Sequence, residues 1–371
     1  MQADDLLALN RLVLGASFLL SLVFGAIAHR THFCTMGAVS DVVNMGDWTR
    51  MRQWGMAAGV AMIGFAVLAY TGQIQPARTL YFSTRFMWLS ALVGGLLFGF
   101  GMVLSSGCGS KSLVRLGAGN LKSLVVLIVM AVAAFATLKG ITGVMRVASV
   151  DGVAVEMPRG ANLPALVNGL VGSDAAVTGL ALGIFLGLGL LAWGLHGRDG
   201  RQPLNLLAGF GIGTLVVGMW WVSGHLGFVA EHPQTLEEFH VATNSGRAEA
   251  MSFVAPVAYA LDWLMFFSDK SKVISFGIAS VAGVACGAAL DAWLSGAFRW
   301  EGFGGTEDLA NHLLGALLMG VGGVTAMGCS VGQGLSGVST LSLTSLVAAA
   351  AIMGGAVLAL KYQVWRLERM A

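Results

Sequence analysis

The run GGLLFGFGMVLSSGC, Gly94 to Cys108, reappears downstream as GALLMGVGGVTAMGC, Gly315 to Cys329. Identical pairs are Gly94/Gly315, Leu96/Leu317, Leu97/Leu318, Gly99/Gly320, Gly101/Gly322, Val103/Val324, Gly107/Gly328 and Cys108/Cys329, all 221 residues apart. Glycine-rich apolar segments coincide by chance, so the glycines alone carry little. The leucine pair and the terminal cysteine carry more, as do the upstream matches Arg78/Arg299 and Phe82/Phe303 at the same offset. Together they read as an internal duplication, a recurring feature of transporters.

Each run also has a matched point upstream. Cys34 stands 74 residues before Cys108, and Val254 stands 75 before Cys329, each preceded by a phenylalanine. The duplicated frame therefore has four equivalent corners. Three hold a thiol and the fourth holds a valine.

Composition sets the solvent. Of 371 residues 56% are apolar and only 11% charged, and mean hydropathy is +0.77. A soluble domain carries about 25% charged residues, so this chain cannot coat a water-facing surface. It reads as an all-α polytopic membrane protein, a single transmembrane transporter domain over 1–371 whose surroundings are the lipid bilayer. A net charge of +2 without a dense basic cluster excludes nucleic acid as a partner. The opening MQADDLLALNR begins with acids and lacks the basic n-region of a signal peptide, so its apolar run is expected to stay as the first span.

About nine transmembrane helices are predicted, at 11–28, 53–71, 87–105, 121–138, 176–195, 204–222, 273–294, 312–327 and 342–361. Two apolar pieces do not fit a span: 32–43 is too short, and 252–267 contains Pro256. Both read as re-entrant, half-membrane helices, tolerated at membrane depth only where buried in protein or lining a cavity. Repeat one covers 11–138 and repeat two 204–361, with 176–195 as the connecting span. One odd crossing between two four-span halves inverts the second, giving two inverted repeats in an hourglass-like fold. Lys361, Arg366 and Arg369 favour a cytoplasmic C-terminus. The acidic segment from Val229 to Glu249, and the N-terminus, are then periplasmic.

The corners are where chemistry is expected. Cys108 sits between Gly107 and Gly109, and Cys329 between Gly328 and Ser330; a short polar stretch follows each. Glycine permits left-handed or broken-helix geometry, and a helix starting at membrane depth aims free N–H groups at an anion. A lone Gly-Cys-Gly is ordinary small-residue packing; its duplication points to a site. Cys286 has no partner at the repeat offset and is expected in the core. Three thiols also suit a soft metal, although the four cysteines show neither a CxxC nor a clustered ligand spacing. A disulfide between corners is a further alternative. In a third reading, buried thiols remain S–H and donate weakly to a soft anion, held loosely enough to leave again. Arg30 and His32 flank Cys34, and Lys111 and Arg115 share a helix face after Cys108. With the pair Arg78 and Arg299, these are the candidates for anion attraction. Asp41, Asp262 and Asp291 are membrane-proximal acids that could carry protons. No catalytic residue, cofactor or metal site is expected.

FCTMGAVSD, SSGCGSKSLVRLG and GVGGVTAMGCSVGQGLSGVSTLS resemble the three cysteine motifs of the YeeE/YedE family of bacterial inner-membrane sulfur transporters, and TNSGR…SFVAP at Thr243 to Pro256 extends the likeness. The resemblance covers essentially the whole chain and implies uptake of thiosulfate from the periplasm. It assigns Cys34, Cys108 and Cys329 as the motif cysteines that pass the ion along by S–H contacts. It also implies a TusA-type sulfur-carrier protein on the cytoplasmic side, expected as a separate chain. Some relatives handle other sulfur or selenium species. A membrane-embedded thiol sulfurtransferase is the alternative from another class.

Overall fold

The computed structural model describes residues 3–172, 174–231 and 236–370. The chain is all-α and polytopic. Its first half runs α1 (Ala3–Arg30), α2 (Thr35–Met45), α3 (Thr49–Tyr70), α4 (Trp88–Leu104), α5 (Gly109–Gly117) and α6 (Leu121–Lys139). Then come α7 (Ile141–Ala148), α8 (Leu163–Val171) and α9 (Ala175–Gly194). The second half opens with a continuous rod, Pro203–Leu226, in which α10 (Pro203–Leu206) and α11 (Ile212–Trp221) are each followed by a π-helical turn. It continues through α12 (Val254–Met265), α13 (Phe276–Leu294), α14 (Thr306–Thr325), a short helix at 330–339 and α15 (Leu343–Met370).

Among the described residues, eight helical rods have the length and hydropathy of a membrane span. The segment predicted as a further span at 312–327 falls in α14, which is not one of the eight and carries Glu307 and Asp308 in its first turn. The apolar pieces at 32–43 and 252–267 become the short helices α2 and α12.

Packing in one half is echoed in the other. α1 lies along α13, and α3 along α11; α4 packs on α14 and α15, and α14 on α4 and α6. α5 touches α13 and α6, while the turn at 332–337 touches α3 and α15. α2 meets α3 and α15, as α12 meets α13 and α6. α9 stands outside this scheme, against α3 and α8.

The shared glycines explain the centre of the seam. A Cβ at Gly101 would lie 2.6 Å from the Gly315 carbonyl, and one at Gly315 would lie 2.6 Å from the Gly101 carbonyl. Only glycine lets α4 and α14 approach backbone to backbone. Much of the sequence identity that marks the repeat is therefore close packing, as the glycines alone would suggest.

Connections gather on two faces. On the first, Leu80 N–H donates to Ala248 O and Ala248 N–H to Arg78 O. There β1 (Arg85–Phe86) pairs with β2 (Val155–Glu156), and Leu343 N–H reaches Ala161 O. β3 (Phe228–Val229) and β4 (Phe239–His240) form a second small pair. Residues 232–235 of the acidic segment lie outside the described residues. On the second face, Leu121 N–H donates to Glu301 O and Arg366 pairs with Glu307 at 2.6 Å. α1 ends on this face, where His29 meets Asp291 at 2.7 Å.

Candidate functional site

The three cysteine corners share one local structure. The helix before each ends on a left-handed residue two positions ahead of the cysteine: His32 (φ 53°), Ser106 (φ 56°) and Met327 (φ 59°). The next residue closes the turn by donating five back, from Phe33 N to Ala28 O, Gly107 N to Met102 O and Gly328 N to Gly323 O. This is a Schellman ending. Each cysteine then starts a new helix, its carbonyl accepting from Ala38, Ser112 or Gln333. Sequence reasoning gave the left-handed geometry to the glycines beside the thiols. The turn instead falls one residue earlier, and none of Gly107, Gly109 and Gly328 has a positive φ. Their smallness is used for contact: a Cβ at Gly107 would sit 3.1 Å from Lys111 Cγ, and one at Gly328 would sit 3.1 Å from Gln333 Cγ.

All three thiols are buried and free. Cys34 Sγ accepts from Gly37 N–H at 3.4 Å, and Cys329 Sγ from Gly332 N–H at 3.3 Å, so both serve as N-caps. Cys108 does not cap; its Sγ meets Ser110 Oγ at 3.2 Å. Cys108 stands within charge–charge range of both Cys34 and Cys329. The fourth corner is built differently. Phe253 precedes α12 without a side-chain cap, and Val254 is buried with its methyls against Gly323. The Phe253 backbone faces the Cys329 sulfur, so the third and fourth corners abut. Among the described residues no three His, Cys, Asp or Glu side chains are grouped as metal ligands.

The candidate cations divide into two groups. Lys111 lies in range of Cys34 and Cys108, and His32 in range of Lys111 and Arg50. Arg115 donates from Nη1 to Ser106 O at 2.8 Å, which pins the turn before Cys108. Arg30 is 68% exposed and stands 3.6 Å from Asp291 at the edge of this cluster. Arg78 is elsewhere, paired with Glu238 and 4.9 Å over the Phe228 ring on the first face. Arg299 is an exposed residue of the 295–305 loop on the second face, its backbone N–H on Ala118 O. The match at the repeat offset reflects loop position rather than a shared site.

Sequence reasoning missed Arg50, which pairs with Asp41 at 2.7 Å and lies within charge range of Lys111. The three membrane-proximal acids are all engaged: Asp41 as described, Asp262 with Lys272 at 2.5 Å, and Asp291 with His29 and Arg30. Cys286, expected in the core, lies exposed on the outer side of α13. Its neighbours Gly283 and Gly287, rather than the thiol, make the close contact with α1.

Two hollows flank the corners. An apolar groove of about 960 Å³ between α3, α9 and α15 reaches Thr35 and Ser330, the residues after two of the cysteines. Their hydroxyls and Trp54 Nε1 are buried without a hydrogen-bond partner. A smaller cavity of about 230 Å³ opens beneath the 227–253 segment and reaches Met327 and Gly328, directly before Cys329. Arg146, Asn244, Ser245, Glu249, Ser252 and Tyr259 supply its polar lining. Nothing in the repeat pattern marked it, because its walls come from segments distant in sequence.

The sequence that builds these corners matches known proteins along most of its length. The model of a family described as sulphur transport matches residues 30–358, a stretch that contains all three corner cysteines. The thiosulfate transporter TsuA of Spirochaeta thermophila is 24% identical over 338 residues, which is 89% of this chain and 93% of that protein. TsuA of Escherichia coli is 24% identical over 322 residues, 84% of each chain. A probable transporter of E. coli, YedE, is 32% identical over 105 residues, 28% of this chain and 24% of its own length. With the match running from the end of α1 into α15, the chain belongs to the sulphur-transport family.

Proposed function

We propose that this chain takes up thiosulfate across the bacterial inner membrane, handing the anion between the thiols of Cys329, Cys108 and Cys34. The observation that carries the reading is the placement of three buried, free thiols at helix starts, with Cys108 in range of the other two. The two relatives that match along nearly their whole length are thiosulfate transporters. A helix start favours an anion through its free N–H groups. An S–H donor holds it weakly, and weak holding at successive sites is what conduction requires.

The direction follows from the charges. The cavity before Cys329 lies under the acidic 227–253 segment, which we place outside. Lys111, Arg115, His32 and Arg50 gather beyond Cys108 and Cys34, which we place inside, with the C-terminus. Attraction then increases along the path. The echoed packing supports two inverted repeats, 11–138 and 204–361, around the connecting span 176–195 in one transmembrane domain. A separate TusA-type sulfur carrier is the partner at the inner end in this reading, and the protein itself makes and breaks no bond.

Purified protein in liposomes tests the reading by uptake of labelled thiosulfate. Cys108→Ala is expected to reduce uptake to background while the protein still accumulates and melts cooperatively, with a small loss from the buried sulfur and none from a helix cap. Undiminished uptake by that variant would refute the thiol pathway. Mass spectrometry during turnover should find the three thiols unmodified; a stable persulfide would make the protein a sulfurtransferase instead.

A further inference from the structure

Glu249 is a half-buried acid that the pathway described above does not use. It lies in the 227–253 segment, between spans, and its carboxyl lines the cavity that ends at Met327 and Gly328. Oε1 is held by Ser245, which donates its N–H at 3.2 Å and its O–H at 2.5 Å. Among the described residues, Oε2 takes no hydrogen bond and no cation stands within ion-pair distance of the carboxyl.

Several groups stand around it, and the cations among them have other partners. From α7, Arg146 pairs with Asp151 at 3.2 Å and reaches Val324 O. From α12, Tyr259 faces the carboxyl, and Asp262 beyond it is tied to Lys272. From the 71–87 loop, Tyr81 lies between Glu249 and Cys329. In its own segment, Arg247 donates to Phe82 O, and His240 bonds Ser223 O through Nδ1.

We propose that Glu249 binds a proton at the outer mouth of the pathway, and that only its neutral form admits the anion, which enters together with that proton. This rests on the thiosulfate reading given above. A carboxylate facing a dianion in so small a cavity repels it. A carboxylic acid there keeps Oε1 on Ser245 and offers an O–H to an anion oxygen, a charge-assisted bond of the stronger kind. Burial raises the Glu249 pKa above the ordinary value, so the fold already leans toward the neutral form. The sign follows: the admitting form is present below the raised pKa and is lost as external pH rises through it.

The experiment is thiosulfate uptake into liposomes at fixed internal pH while external pH is stepped upward. Wild-type uptake should fall by up to about tenfold per pH unit above the Glu249 pKa. Glu249→Gln, which mimics the neutral acid, should remove that slope. Glu249→Asp should keep a slope with a displaced midpoint. His240→Gln should keep the wild-type slope. A wild-type slope surviving in Glu249→Gln, or vanishing in His240→Gln, would overturn the proposal. Infrared difference spectra of wild type against Glu249→Gln read the proton without any substrate. A carboxylic C=O band that fades as pH rises and is missing from Glu249→Gln supports the site even if the protein moves no thiosulfate, a result that would sink the transport reading alone. Absence of that band sinks the proton site.

Discussion

Three corners of the frame carry a thiol and one does not, and the difference extends well beyond one side chain. Cys34, Cys108 and Cys329 each follow a helix that stops in a Schellman turn. The Phe253–Val254 corner follows a long connection instead, and no left-handed residue sets it up. A tight turn delivers the cysteine carbonyl and sulfur together to the start of the next helix. The fourth corner has traded that turn for a segment that builds a cavity wall and brings Glu249 to it. In the proposed pathway, one position of the fourfold pattern serves as the mouth and the other three as contact points.

The comparison can be broken first by making a thiol corner resemble the fourth. Cys329→Val removes both the S–H and the acceptor for Gly332 N–H. Uptake in liposomes is expected to fall to background. Stability should fall by about 1 kcal/mol or less, since a sulfur cap is weaker than an oxygen cap; thermal melting checks this. The converse change, Val254→Cys, places a fourth thiol against the third corner. The small volume change should cost under about 1.5 kcal/mol. Its effect should appear in competition between thiosulfate and selenium analogues. A wild-type competition profile would show that Val254 lies off the path. The smallest effect is expected from Ser106→Gly. It keeps the turn and relieves a left-handed residue, so melting should rise by an amount equivalent to about 1 kcal/mol or less, with uptake preserved.

Much of this architecture was legible because duplication repeats its own signals. The paired runs located the corners, and short apolar pieces too small to span became α2 and α12. Glycine identity was ambiguous in principle. At Gly101 and Gly315 it encodes helix contact, whereas at Gly107 and Gly328 it leaves room beside a thiol. The left-handed residues were not legible, since serine and methionine carry no such preference, histidine only a slight one, and the surrounding turn imposes it. Arg115 on the Ser106 carbonyl, and Arg78 turned away to Glu238, depend on partners distant in the chain or on a loop's path. The Glu249 cavity belongs to the same class: five separated stretches meet there, and no local pattern announces it.

The glycine seam between α4 and α14 has a mechanical consequence. Two backbones in direct contact leave no compressible layer between the halves, and close-packed interiors yield little. Halves joined in this way form a chassis rather than a hinge. Under the proposed function, the moving parts of a transport cycle are then the light ones: thiol rotamers at the corners and the carboxyl at the mouth.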